Sequence, residues 1–192
     1  MRINFVALLP LLAALLTVAC REEAITHSRV PKPEAAASIA VNAPHEHERS
    51  SGHQGLRWTL PAGWKEVPGT GMRLATFVPP GGLKTEGTVV SLPGDSGGEL
   101  ANANRWRGQI GLPPTDEAGM TAARTTLSTK AGPAAVYDFT STGAVRTRLI
   151  AAVVSTGGAT WFFKLMGDAA ATESARAGFT ELIKGLTHDA PK

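Results

Sequence analysis

Between residues 55 and 192, apolar positions alternate in short runs that Gly and Pro interrupt, the period-two pattern of half-buried strands. The pattern predicts strands over 56–60, 72–78, 88–92, 124–129, 134–140, 145–155 and 160–166. After the first, Pro61-Ala62-Gly63-Trp64 turns the chain back. After the second, Pro79-Pro80-Gly81-Gly82 withholds the donors that a ladder needs. The last three strands are linked by short turns at Gly143 and Gly157-Gly158. They must run antiparallel, because a parallel crossover takes about a dozen residues or more. Within the strand at 160–166, alternation sends Trp161 and Phe163 to one face and Phe162 to the other, so both faces of the sheet are covered.

Two stretches change period. Ala175, Phe179, Leu182, Ile183 and Leu186 recur at the spacing of one helix face, which predicts a helix starting near Thr172 and closed by Gly185 or just after it. Residues 99–110 place Leu100, Ala103, Trp106 or Arg107, and Ile110 on one side, and Pro113-Pro114 stops the helix. The expected fold class is α+β: an antiparallel β-sheet of six to seven strands sandwiched by two or more helices.

The first 54 residues read differently. Arg2 precedes an apolar run from Ile3 to Ala19 that only Asn4, Pro10 and Thr17 interrupt. A membrane-spanning helix needs about 20 apolar residues, and Pro10 would break this one near its middle, so a secretory signal fits better than a permanent span. The run ends Leu15-Leu16-Thr17-Val18-Ala19-Cys20. That ending resembles the lipobox of bacterial lipoproteins, with Thr17 standing where the lipobox prefers Leu. The resemblance implies that residues 1–19 are removed and that Cys20 becomes the N-terminus, carrying a diacylglyceryl group on sulfur and an acyl chain on its amine. At about 0.8 kcal/mol per buried methylene, three chains hold a protein at a membrane where one does not. Residue 21 is Arg, not the Asp of the inner-membrane retention signal, which favours the outer membrane facing the periplasm. The alternative is an ordinary signal peptide cut near Ala19, with Cys20 a free thiol.

Residues 20–54 are expected to be a disordered tether. They hold Pro31, Pro33 and Pro44, an Ala run at Ala35 to Ala37, four of the five His and no aromatic residue. Such a composition cannot bury enough apolar surface to offset the entropy of ordering. As a coil, the stretch after Cys20 has an end-to-end distance of roughly 30 Å. Residues 55–192 then form a single globular domain. Cys20 is the only cysteine, so that domain must be held by its apolar core alone.

Charge narrows the partners. The net charge of +3 arises from 14 Lys and Arg against 11 Asp and Glu in the domain, with near balance elsewhere. No basic run with interleaved aromatics appears, so nucleic acid is not an expected partner. The expected partners are the membrane, through the lipid, and an envelope protein.

Four constellations carry residues capable of chemistry. His45-Glu46-His47-Glu48, with His27 and His53 on either side, offers imidazoles and carboxylates that can chelate Zn or Cu. Metal sites draw on a rigid frame with supporting hydrogen bonds, which a tether lacks, and HExxH is absent. No metal or other cofactor is therefore expected. Gly94-Asp95-Ser96-Gly97-Gly98 is identical to the pentapeptide around the nucleophile of chymotrypsin-like serine proteases. There a His base and an orienting Asp precede the serine. Here Asp95 is the first Asp in the chain, and the only His of the domain is His188, beside Asp189. The stretch reads instead as a turn in which Asp95 or Ser96 caps the helix at 99–110. On that helix Asn102, Arg105 and Gln109 are spaced to share a face opposite Leu100 and Ile110. With Asn104 and Arg107 they form the candidate binding surface, since an Arg flanked by amides can receive a carboxylate or phosphate. The same residues can equally bind neighbouring loop carbonyls. The carboxylates Asp95, Glu99, Asp116, Glu117 and Asp138 fall in no recognised spacing, and no catalytic residue is assigned.

The opening Leu56-Arg57-Trp58-Thr59-Leu60-Pro61-Ala62-Gly63-Trp64, leading to the strand that begins Met72-Arg73, resembles the start of small exported domains of the PsbP/Mog1 type. Gly97-Gly98, the stretch from Asn102 to Pro113 and the later Trp161-Phe162-Phe163-Lys164 resemble an uncharacterised family of bacterial lipoproteins. The resemblance implies an antiparallel sheet between helices, a C-terminal amphipathic helix and an exported location, and carries no catalytic residues. The expected function is a non-enzymatic protein-binding or envelope-assembly module anchored to a membrane. The alternative is a carrier of a small molecule or anion, or an enzyme with dispersed site residues.

Overall fold

The computed structural model describes residues 51–53, 55–82 and 84–188, with backbone only at 51–53. Cys20 and the His45–His47 region lie outside the described residues. Among the described residues ten strands and three helices follow one another as β1 (Ser51–His53), β2 (Leu56–Trp58), β3 (Lys65–Pro68), β4 (Arg73–Val78), β5 (Thr85–Pro93), α1 (Glu99–Gln109), α2 (Glu117–Ala123), β6 (Thr125–Thr129), β7 (Gly132–Thr140), β8 (Thr147–Thr156), β9 (Ala159–Asp168), α3 (Ala169–Lys184) and β10 (Thr187–His188). The fold class is α+β, as expected.

Seven strands form one antiparallel sheet in the order β3-β4-β5-β9-β8-β7-β6, and β1-β2-β10 form a small second sheet. Strands β7 to β9 are the expected meander, and β6 extends it by pairing with β7. The early meander β3-β4-β5 joins them through β5 against β9, over nine residue pairs from Thr85–Gly167 to Pro93–Ala159. Helices α1 and α2 bridge from β5 to the far edge strand β6, and so lie across one face of the sheet.

The aromatic strand works as its alternation predicts. Trp161 and Phe163 enter the core beneath α3, with Trp58, Phe77, Phe179, Leu182 and Ile183. Phe162 faces the other way and packs with Trp106, Ile110, Tyr137 and Phe139 beneath α1. Burying each such large side chain stabilises the fold by about 1.5–3 kcal/mol, and these two clusters hold it without a disulfide.

Several local expectations are corrected. Helix α3 begins at Ala169, not near Thr172, because Asp168 caps it by accepting from the amides of Ala170 and Ala171, and the Ala run then propagates. Strand β8 starts at Thr147, and Val145 is left 86% exposed in the preceding turn. Helix α2 was not predicted. Asp116 caps it by accepting from Gly119 N at 2.8 Å, but with seven residues it is too short for periodicity to reveal. Strand β3 was missed as well, and β1 forms from residues that composition assigns to the tether.

Candidate functional site

Helix α1 organises the face on which the candidate residues lie. Its start differs from expectation. The N-cap is Gly98, at φ 74°, with no capping side chain. Asp95 does not cap it, and the Ser96 hydroxyl donates to the Pro93 carbonyl at 3.2 Å. Gly97 also has positive φ, at 84°, so glycines form this turn where other residues would be strained. Asn102 holds the turn from within the helix, its amide donating to the carbonyls of Ser96 and Gly98, both at 2.8 Å.

That geometry overturns the shared face expected for Asn102, Arg105 and Gln109. Asn102 is buried on the sheet side with Ala103, Trp106 and Ile110, while Arg105 and Gln109 are exposed. Arg105 Nη1 donates to Asn102 Oδ1 at 2.7 Å, and Gln109 Oε1 accepts from Lys164 Nζ at 3.0 Å. Asn104 exchanges two hydrogen bonds with the backbone of Thr115. Arg107 donates to the Pro113 carbonyl at 2.8 Å and stacks over Phe139 at 5.4 Å. Four of the five candidate residues thus have their polar ends tied to neighbouring loops or to β9, and Arg105 alone presents an exposed guanidinium held by a buried partner.

Beneath the first turn of α1, and above β7, β8 and β9, lies a cavity of about 230 Å³. Trp106, Val153 and Phe162 supply apolar wall, Asp95 and Ser96 come from the glycine-rich turn, and Tyr137 comes from β7. Glu99 and Arg124 also line it, paired at 3.1 Å. The pair raises the already high pKa of Arg124, through the hydrogen bond first, with burial opposing. Tyr137 is wholly buried, yet its hydroxyl has no hydrogen-bond partner. Burial pushes this phenol above its usual range, the Glu99 carboxylate adds to the shift and Arg124 opposes it. Both act through their charge and through close polar approach to the hydroxyl, yet neither reaches it in full hydrogen-bond geometry.

Sequence reasoning missed Tyr137 and Arg124. The available signal was a phenol in the apolar row Ala135-Tyr137-Phe139, where a hydroxyl demands a partner.

His188 shares a long hydrogen bond with the Thr156 hydroxyl, at 3.3 Å from Nδ1, and Asp189 lies outside the described residues. Among the described residues no group of three or more His, Cys, Asp or Glu side chains is placed to hold a metal ion. Among the same residues no helix is long and apolar enough to cross a membrane.

No family model and no curated protein matches the sequence. Solved structures of similar fold include the cyanobacterial PsbP protein CyanoP of Synechocystis sp. PCC 6803, 12% identical, with 70% of this chain and 87% of that one covered and a TM-score of 0.48. Another is LpqN of Mycobacterium tuberculosis, described as involved in cell envelope biogenesis, at 14% identity, 70% and 83% coverage and a TM-score of 0.43. A third is a protein of Bacteroides thetaiotaomicron VPI-5482, at 13% identity, 70% coverage of this chain and a TM-score of 0.47. The chain spans 45% of that protein's length. These are likenesses of fold alone.

Proposed function

We propose that this chain is an exported lipoprotein, held at the periplasmic face of the outer membrane through acylated Cys20, that binds an envelope protein and does not catalyse a reaction. The observation that carries the binding reading is Arg105. Its guanidinium is exposed on α1 yet oriented by Asn102, which is only 5% exposed and is itself fixed to the glycine-rich turn. A guanidinium has five N–H donors, and an oriented one loses less entropy on meeting a carboxylate. The commitment of the Ser96 hydroxyl to the Pro93 carbonyl supports a turn over a nucleophile.

The anchor is tested by growing cells with a clickable fatty acid. The parent chain should be labelled and Cys20→Ser should not. An unlabelled parent removes the anchored reading. The docking surface is tested by crosslinking in intact cells followed by mass spectrometry. Arg105→Ala should lose the crosslinked partner while its unfolding midpoint stays close to that of the parent. A variant that keeps the partner but unfolds more easily would assign Arg105 to architecture.

A further inference from the structure

Tyr137 is the only tyrosine of the chain, and its hydroxyl is the one buried side-chain polar atom, among the described residues, without a hydrogen-bond partner. Leaving such a group unsatisfied is costly, and Phe would pack the same wall without that penalty. A phenol at this place therefore calls for a partner from outside the chain.

The surroundings define what that partner is. Tyr137 stands in the wall of the cavity beneath α1, facing the charged ends of Glu99 and Arg124. The same end of α1 has no capping side chain, so its first amides are unmet by any side-chain acceptor. A carbonyl or similar oxygen is the group these donors share. Formal charge argues against an anion, since Asp95 and Glu99 outnumber Arg124 among the lining residues. A cation gains nothing from a phenol that needs an acceptor or from helix amides. Part of the remaining wall is flat and apolar, with the Trp106 ring 5.6 Å from Tyr137 and 6.4 Å from Phe162 between centroids, and Asn102, Ser155 and Thr160 add uncharged polar groups beside it. A cavity of about 150 Å³ is already enough for benzene. Glu99 and Arg124 cover the hydroxyl, but their side chains are 40% and 37% exposed, and exposed pairs contribute little, so the cover opens at small cost.

We propose that this cavity binds a small uncharged organic ligand, its flat apolar body against Trp106 and Phe162 and its carbonyl oxygen accepting a hydrogen bond from Tyr137. The site adjoins the Arg105 surface through Asn102, which lines the cavity and holds Arg105, but it depends neither on acylation nor on an envelope partner.

The experiment uses the full chain in detergent with isotope-labelled tyrosine, which gives a single ring signal. Benzamide, benzoate and benzylamine serve as neutral, anionic and cationic probes of one shape. Benzamide is expected to move the Tyr137 signal saturably and to bind more tightly than the other two. In Tyr137→Phe, calorimetry should show benzamide binding weakened by roughly tenfold, the loss of one hydrogen bond, with the unfolding midpoint not lowered. The proposal fails if benzamide gives no saturable shift, if the Phe variant binds it equally well, or if benzoate or benzylamine binds more tightly.

Discussion

Asn104 and Thr115 meet as two paired strand residues would: the Asn104 amide donates to the Thr115 carbonyl at 3.0 Å, and the Thr115 amide donates back to Asn104 Oδ1 at 2.7 Å. The pair clamps the Pro113-Pro114 segment against α1 and sets where α2 begins. Two part-buried hydrogen bonds contribute about 2 kcal/mol together. Asn104→Ala should lower stability by about that amount in urea unfolding, and Asn104→Asp, which keeps only the acceptor, by about half of it. A loss under about 0.5 kcal/mol in the Ala variant would mean that the loop is held by its prolines instead.

The sheet was legible because its strands alternate and its turns carry Gly and Pro, so alternation alone assigns Trp161, Phe162 and Phe163 to their faces. Helix α3 was legible for the same reason, except that a cap at Asp168 lay outside the apolar stripe. The candidate site was less so. Spacing placed Asn102 on an outer face, but it lies at the edge of the buried stripe beside Ala103 and Trp106, where its amide reaches the Ser96 and Gly98 carbonyls. Tyr137 comes from β7, Glu99 from α1 and Arg124 from the junction of α2 and β6, and no sequence period records that they converge.

Gly178 shows how the Trp64 turn is fitted to α3. A Cβ there would lie 2.7 Å from Trp64 Nε1 and 3.1 Å from the ring carbons Cε2 and Cζ2. Alanine favours a helix interior over glycine by about 1 kcal/mol, whereas overpacking costs about 1–3 kcal/mol. Because Trp64 is 9% exposed and hemmed by its turn, the clash should win. Gly178→Ala is expected to lower the thermal midpoint and shift tryptophan fluorescence. A more stable variant would show that the Trp64 turn moves freely away from α3.

Arg148 grips Asp138 in bidentate fashion, at 2.7 Å from Nε and 2.6 Å from Nη2, and also donates to Glu173 on α3. Its side chain is 16% exposed and that of Asp138 is 29% exposed, so this network is shielded more than a surface pair. The hydrogen bond to Asp138 is the first cause of the raised Arg148 pKa, with burial opposing. Lysine keeps the charge but not the fork, so Arg148→Lys should cost about 1–2 kcal/mol. Partly buried pairs are screened little by salt, and the difference from the parent should survive at about 1 M NaCl. If it vanishes there, the contribution is long-range charge and not the fork.

The phenol of Tyr137 makes a direct prediction about pH. Burial, then the Glu99 charge, favours its neutral form in the folded chain, so the folded pKa exceeds the unfolded value of about 10. Below the unfolded value this contribution to stability is fully present, and it is lost as pH rises through the folded value. With one tyrosine in the chain, tyrosinate absorbance reports this group alone. The native chain should ionise at higher pH than the urea-unfolded chain. The stability difference between parent and Tyr137→Phe should hold steady below about pH 9 and turn against the parent at higher pH. Glu99→Gln removes a raising charge and should bring the native titration down, whereas removing the opposing cation in Arg124→Ala should take it further up. Native and unfolded titrations that coincide would show that the hydroxyl meets solvent, and would take away the enclosed wall on which the ligand site rests.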